Sequence, residues 1–206
     1  VDVVTDTRLR IIEAARTRLL ADGYAGLSTR KVAEEAGVPL SQLHYHFGSK
    51  GGLITALFAE ENNRLLERQT EMYAQDKPLW QRYEQACDFL EDDLESGYVR
   101  VLQEMLAAGW SNPEIGDVVR DLLGRWYVLL ADVAREAERR FGALGPFTPE
   151  EIATLVANAF IGSEALLLLG FERPVMPIRS ALRRIGVIIR EREEAAGAVG
   201  APIVAG

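Results

Sequence analysis

Apolar residues recur along this chain every three to four positions and nowhere alternate with the two-residue period of a strand, so the pattern predicts an all-α protein of about nine helices. The first helix is expected from about Thr7 to Ala21, with Leu9, Ile12, Ala15 and Leu19 on one face and Asp22-Gly23 as its stop. Arginines 8, 10, 16 and 18 fall largely outside that face, and Tyr24 and Leu27 should tuck into the core of a three-helix unit. A short second helix opens on the hydroxyl of Ser28 or Thr29 and carries Val32, Ala33 and Ala36 as its apolar stripe. Gly37 ends it, since glycine accepts the left-handed backbone favoured at helix ends. Pro39 biases Val38 towards extended backbone and suits the first position of a third helix. In that helix Leu40, Leu43 and Phe47 share one side, which leaves Ser41, Gln42, His44 and Tyr45 facing outward.

Ser49 can cap a fourth helix that runs through Leu53, Leu57, Leu65 and Leu66 to about Tyr73. At 1.5 Å per residue such a helix rises about 36 Å and couples the N-terminal unit to the rest of the chain. After a break at residues 75–78, Trp80, Tyr83, Cys87 and Leu90 mark one helix face, and Tyr98, Val101, Leu102, Met105 and Gly109 the next. Pro113 opens a long helix with Val118, Leu122, Trp126, Leu129 and Val133 in a stripe that closes at Phe141-Gly142. Thr148, Pro149 and Glu151 form the signature of a capping box for a helix running to Leu169 with Ile152, Val156, Ala159, Ser163, Leu166 and Leu167. A last helix from Pro177 presents Ile178, Leu182, Ile185 and Ile189. The small-residue stretch 195–206 is expected to be poorly ordered.

Two short helices joined at a glycine make a helix-turn-helix, whose second helix lies in the DNA major groove while the first crosses the backbone. Ser41 and Gln42 sit near the start of that second helix, where base edges are met, and His44, Tyr45 and His46 can donate to phosphates. The candidate DNA contacts are Thr29, Arg30, Ser41, Gln42, His44, Tyr45, His46 and Lys50.

The segments I-I-E-A-A-R-T-R-L-L-A-D-G-Y, L-S-T-R-K-V-A-E-E-A-G-V and L-H-Y-H-F-G-S-K, within Ile11 to Phe58, resemble the DNA-binding domain of the tetracycline-repressor (TetR) family of bacterial regulators. The resemblance implies that Lys50 contacts a backbone phosphate, that Arg8 and Arg10 either reach phosphates or are simply solvated, and that the protein dimerises. Three positions depart from the family's pattern. His44 replaces a tyrosine, Pro39 replaces a capping serine, and Gly51-Gly52 stand where helix-favouring residues follow the lysine. Each of these glycines is expected to loosen the start of the fourth helix by about 1 kcal/mol relative to alanine.

Composition alters this picture in two respects. A net charge of −8 argues at first against a nucleic-acid partner. Residues 1–52, however, hold seven Lys/Arg against six Asp/Glu, and the remaining residues 16 against 25, so the acidity lies outside the helix-turn-helix. The single cysteine, Cys87, excludes an internal disulfide and reads as a buried structural thiol. With no secretory pattern in V-D-V-V-T-D-T-R and no long apolar run beyond Leu166 to Leu169, a cytoplasmic protein without a membrane span is expected.

No motif of nucleotide, metal or nucleophilic chemistry occurs, and His44 and His46 diverge by about 200° on a helix, so neither an enzyme, a cofactor nor a metal is expected. Trp80, Tyr83, Met105, Trp110, Trp126, Tyr127 and Phe160 supply surface for an apolar ligand pocket. Glu164 either anchors the ligand or lies at a dimer rim or in water.

The sequence thus divides into a DNA-binding domain (1–52), an effector-binding and dimerisation domain (53–194) and a tail (195–206). Small residues Ala159, Gly162, Ser163 and Gly186 suit the last two long helices to a homodimer interface. The function expected is a repressor released from a palindromic double-stranded operator by a small hydrophobic effector. The competing reading is a helical small-molecule-binding module or enzyme whose helix-turn-helix is vestigial.

Overall fold

The computed structural model describes residues 3–199. Its helices are α1 (Val3–Gly26), α2 (Thr29–Glu35), α3 (Leu40–Phe47), α4 (Lys50–Tyr73), α5 (Leu79–Ser96), α6 (Tyr98–Ser111), α7 (Pro113–Phe141), α8 (Pro149–Leu168) and α9 (Ile178–Val199). Among the described residues there is no strand, only an isolated bridge between Arg173 and Met176. Residues 195–199, expected to begin a loose tail, form the last turn of α9, and residues 200–206 lie outside the described residues.

The chain packs as two compact units, Val1–Leu65 with Ser96–Leu123, and Leu66–Glu95 with Gly124–Gly206. In the first, α1 packs on α2, α3 and α6. Ile11, Ile12, Ala15 and Leu19 meet Val32, Leu43, Leu57, Phe58, Val101 and Met105 in its core. Leu9, expected on the buried face, stays exposed because Ile11 and Ile12 together fill that side. The helical dihedrals of α1 break at Gly23 (φ 68°, ψ 172°), close to the expected stop. Just beyond, the Tyr24 N–H, released by the break, donates to the Glu104 carboxylate at 2.9 Å.

The second unit holds the end of α4, α5, most of α7, α8 and α9. Along α7 the buried residues are Val119 and Leu122 in the first unit and Trp126, Leu130, Ala134 and Ala137 in the second, so Val118, Leu129 and Val133 of the expected stripe each flank a buried neighbour and are half-buried. The capping box of α8 is formed: Glu151 N donates to Thr148 Oγ1 (3.2 Å), and Thr148 N donates to Glu151 Oε2 (2.8 Å). Helix α8 buries Ala153, Ala157, Phe160 and Glu164, whereas the expected face through Ile152, Val156 and Ala159 is half-buried. Gly186 packs within its own chain, since a Cβ there would lie 3.2 Å from Tyr83 Cδ1, so its small size serves α9 against α5.

Helix α8 also corrects the expectation of no membrane-length segment. With 20 residues, it is long and apolar enough to cross a bilayer by length and composition alone. Alanines, glycine and serine stand between the larger apolar residues, so no uninterrupted run announces it. Glu164 is buried on this helix, and charged or polar side chains at such a position disfavour a lipid setting.

Candidate functional site

The bend between α2 and α3 is built from the residues that its sequence called for. Gly37 has φ +64°, the left-handed region, and Val38 N donates back to Ala33 O at 3.0 Å to close the end of α2. Ser28 occupies the N-cap position of α2, but its hydroxyl makes no capping hydrogen bond, and Pro39 is the N-cap of α3, one position before the expected one. Arg10 secures the bend from α1: its Nη2 donates to Ala36 O (2.7 Å) and Gly37 O (3.4 Å). The Arg8 guanidinium lies 5.8 Å from the Phe47 ring centroid.

This framework turns one side of α3 to solvent. Leu43 is fully buried and Phe47 half-buried, while Ser41, Gln42, His44 and Tyr45 are exposed; Leu40, expected inside, is exposed as well because it stands in the unpacked first turn. Tyr45 is 79% exposed, a large aromatic side chain with almost no cover from its own chain. The His44 Nδ1 lies 2.9 Å from Gly48 O. A carbonyl can only accept, so Nδ1 carries the proton and Nε2 is presented outward. His46 is half-buried between the Tyr45 and Phe47 rings, at 5.2 and 6.0 Å.

The remaining candidates lie on α2 and at the start of α4. Thr29 is half-buried at the start of α2. Arg30 pairs with Glu34 at 3.5 Å, with side chains 83% and 70% exposed, a surface pair that a phosphate can displace. Lys50, in the first turn of α4, is half-buried, with Nζ 4.5 Å from the Tyr24 ring centroid and 3.5 Å from Ala25 O. Burial holds its pKa below the usual lysine value. The expected cap of α4 is present, with Gly52 N donating to Ser49 Oγ at 3.1 Å.

Gly52 reverses the expectation of a loosened helix start. A Cβ at this position would overlap the Phe47 carbonyl oxygen, so the close junction of α3 and α4 requires glycine there, whereas Gly51 meets only Ser49 Oγ at 3.6 Å.

A cavity of about 380 Å³ lies within the second unit, walled by the end of α4, α5, α7, α8 and α9. Of the eight residues expected at a ligand pocket, Tyr83 alone lines it, and its hydroxyl donates to Leu182 O at 3.0 Å. Phe160 is buried behind, 6.1 Å from the Tyr83 ring, and Trp126 is core, its indole N–H donating to Gln69 Oε1 at 2.7 Å. Tyr127 donates to Asn158 Oδ1 at 2.6 Å, and Trp80 is half-buried beneath the Arg190 guanidinium, 4.8 Å away. Met105 belongs to the core of the first unit, Trp110 is 87% exposed on α6, and Glu164 is buried in α8 away from the cavity wall. This cavity is walled by Tyr73, Tyr83 and Phe141 together with small side chains, Ala134, Ala137, Ala143 and Ala153, that leave room between the helices. Sequence reasoning missed Tyr73 and Arg192, although Arg192 continues the Ile185, Ile188, Ile189 face of α9 at helical spacing.

Buried Cys87 lies beside this region, and desolvation pushes its thiol up to about 11, which keeps it protonated and inert.

Known proteins share both the helix-turn-helix and the fold that carries it. Residues 11–57 match the family model described as bacterial regulatory proteins, tetR family. An uncharacterised HTH-type transcriptional regulator of Mycobacterium tuberculosis is 27% identical over 165 residues, spanning 77% of this chain and 80% of the relative. Two solved structures share the fold. The regulator FadR of Bacillus subtilis, in complex with stearoyl-CoA, superposes with a TM-score of 0.73 at 15% identity, covering 87% of this chain and 97% of FadR. A transcriptional regulator of Saccharomonospora viridis in complex with choline superposes with a TM-score of 0.73 at 21% identity, covering 91% of this chain and 96% of that one.

Proposed function

We propose that this chain, which belongs to the tetR family of bacterial regulatory proteins, is a cytoplasmic homodimeric repressor that binds a palindromic operator and releases it when a small apolar effector fills the cavity of the second unit. The observation that carries the reading is the exposed row Ser41, Gln42 and Tyr45 on a short helix held at the Gly37 bend, with Arg30 on the preceding helix and Lys50 at the start of the following one. Residues 1–52 act as the DNA-reading domain, and residues 53–194 bind the effector and the second copy. Repression is the simplest outcome, because an occupied operator excludes other proteins without needing any contact with them.

Dimerisation is supported by apolar surface that one chain leaves open on α8 and α9. Leu155 and Val187 are exposed, and nothing lies within 4 Å of a Cβ placed on Gly162. Two copies pairing these helices would bury that surface and present two reading helices to successive major grooves, about 34 to 36 Å apart.

Release requires the effector to bind the DNA-incompetent arrangement better than the DNA-bound one, with a coupling of about 1 to 3 kcal/mol on the usual scale. Helix α4 is the natural lever, since Lys50 stands in its first turn and Tyr73, its last residue, lines the cavity. The ligands held by the two fold relatives support a small-molecule effector in this chain also.

Selection of bound duplexes from a random pool tests the proposal. The expected product is an inverted repeat with half-sites spaced by whole helical turns; a pool that never enriches, or a lone half-site bound by one copy, would contradict it.

A further inference from the structure

We propose that the cavity takes a medium-length aliphatic chain ending in an anionic head, with the chain buried among Tyr83, Ala134, Ala153 and Ile189 and the head held by Arg192. This rests on the proposed effector-responsive function and gives that effector its chemical class. Three observations carry it.

The wall is apolar apart from two tyrosines and one cation. Arg192 is the single charged side chain among the eighteen residues lining the cavity, and no carboxylate lines it. Tyr73 and Tyr83 are both held neutral, because burial raises their phenol pKa values above the usual range. The wall therefore offers no negative charge to a cationic ligand.

The guanidinium is also uncommitted although acids stand close to it in the fold. Glu193 accepts from the N–H groups of Leu79 (3.2 Å) and Trp80 (3.4 Å), Glu136 holds Arg82 and Arg140 (2.7 and 2.8 Å), and Glu194 holds Arg190 (2.9 Å). Arg192 forms no ion pair among the described residues. A permanently charged fork of five N–H donors at the edge of an apolar cavity matches a carboxylate, which it can hold through two parallel hydrogen bonds.

Position and size set the rest. Arg192 is exposed, as are Gly142, Ala143 and Ile188, so these residues form the outer end of the cavity, while Leu79, Tyr83 and Ala153 are buried at its inner end. A volume of about 380 Å³ holds about a dozen groups at ~30 Å³ each. Decanoate is of that size.

The test is calorimetric titration of the full chain, without DNA, with fatty acids of increasing length below their micelle-forming concentrations, and with decanol and decyltrimethylammonium as neutral and cationic counterparts. Affinity is expected to rise about fourfold per methylene until the chain fills the cavity, then to level off. Decanoate should bind more tightly than either counterpart. Arg192→Gln should weaken decanoate about tenfold or more and leave decanol unchanged, as expected for one charge-assisted contact, and Arg192→Lys should keep part of the affinity. Absent decanoate binding, equal binding of the cation, or an unaltered Arg192→Gln variant would each overturn the inference. A parallel gel shift separates the two proposals. Operator released only by a cationic or neutral compound would sink this ligand class and leave the regulator reading intact. Decanoate bound through Arg192 without any change in DNA affinity would do the reverse.

Discussion

Arg82 Nη1 donates to the backbone carbonyl of Tyr73 at 2.5 Å, closing the last turn of α4 with a side chain from α5. The carbonyls at a helix end have no partner within the helix, and this one is met by a guanidinium that is itself only 2% exposed. The same group pairs with Glu136 of α7 at 2.7 Å, so one buried cation ties together three helices around a cavity that Tyr73 lines.

Removing the anion of that pair leaves a buried charge uncompensated. Glu136→Gln is expected to cost about 3 kcal/mol, read as a lower midpoint in urea unfolding. The hydrogen bond from Arg82 holds the Glu136 carboxyl below its usual pKa. Its stabilising contribution is therefore present above the ordinary glutamate range, near pH ~4.3, and is lost as pH falls through the lower folded value. Wild type should lose stability over that acid window more steeply than Glu136→Gln, and parallel pH profiles would show that the pair does not carry this energy.

The two glycines that open α4 should respond to alanine with opposite signs. Gly51→Ala meets ordinary contact distances and is expected to stabilise the protein by about 0.5 to 1 kcal/mol through helix propensity. Gly52→Ala would drive a methyl group into the Phe47 carbonyl oxygen and must displace α3 or α4, lowering both the thermal midpoint and operator affinity. Equal effects of the two changes would refute the close junction inferred at Gly52.

Lys50 is placed to act on DNA without reading its sequence. Lys50→Ala should weaken operator and unrelated duplexes alike, and should reduce the slope of log K against log salt by about 1. Because burial lowers its pKa, wild-type binding should decline at a lower alkaline pH than an ordinary lysine would give, and Lys50→Arg should remove that decline. An unchanged salt slope in Lys50→Ala would assign the ammonium to the Tyr24 ring alone.

Local chemistry is readable from the sequence at several places where the residues that define a feature lie within a few positions of one another, although the Ser28 hydroxyl makes no cap. The Gly37 bend, the Ser49 cap and the Thr148–Glu151 box are of this kind, and each is present. Tertiary contacts are not readable in the same way. Arg10, which the sequence presents only as a phosphate contact or a solvated residue, holds carbonyls 26 and 27 residues away, a partner that nothing near it in the chain announces. The expected α7 stripe is misplaced by one residue at several points because a helix offers two adjacent apolar lines and packing against other helices selects between them. The cavity of the second unit is likewise assembled from five helices, and of the aromatic residues that the sequence singles out only Tyr83 lies in its wall, beside alanines far apart in the chain.

The reading face of α3 is the centre of this account, and quantitative binding of Gln42→Ala and Tyr45→Ala to the selected operator and to an unrelated duplex tests it most directly. Both side chains are exposed, so folding and thermal midpoint should hold. The account predicts a loss of about 1 to 3 kcal/mol in operator binding for Gln42→Ala, weaker operator binding for Tyr45→Ala, and little change on the unrelated duplex for Gln42→Ala. Operator affinity equal to wild type in both variants would contradict it.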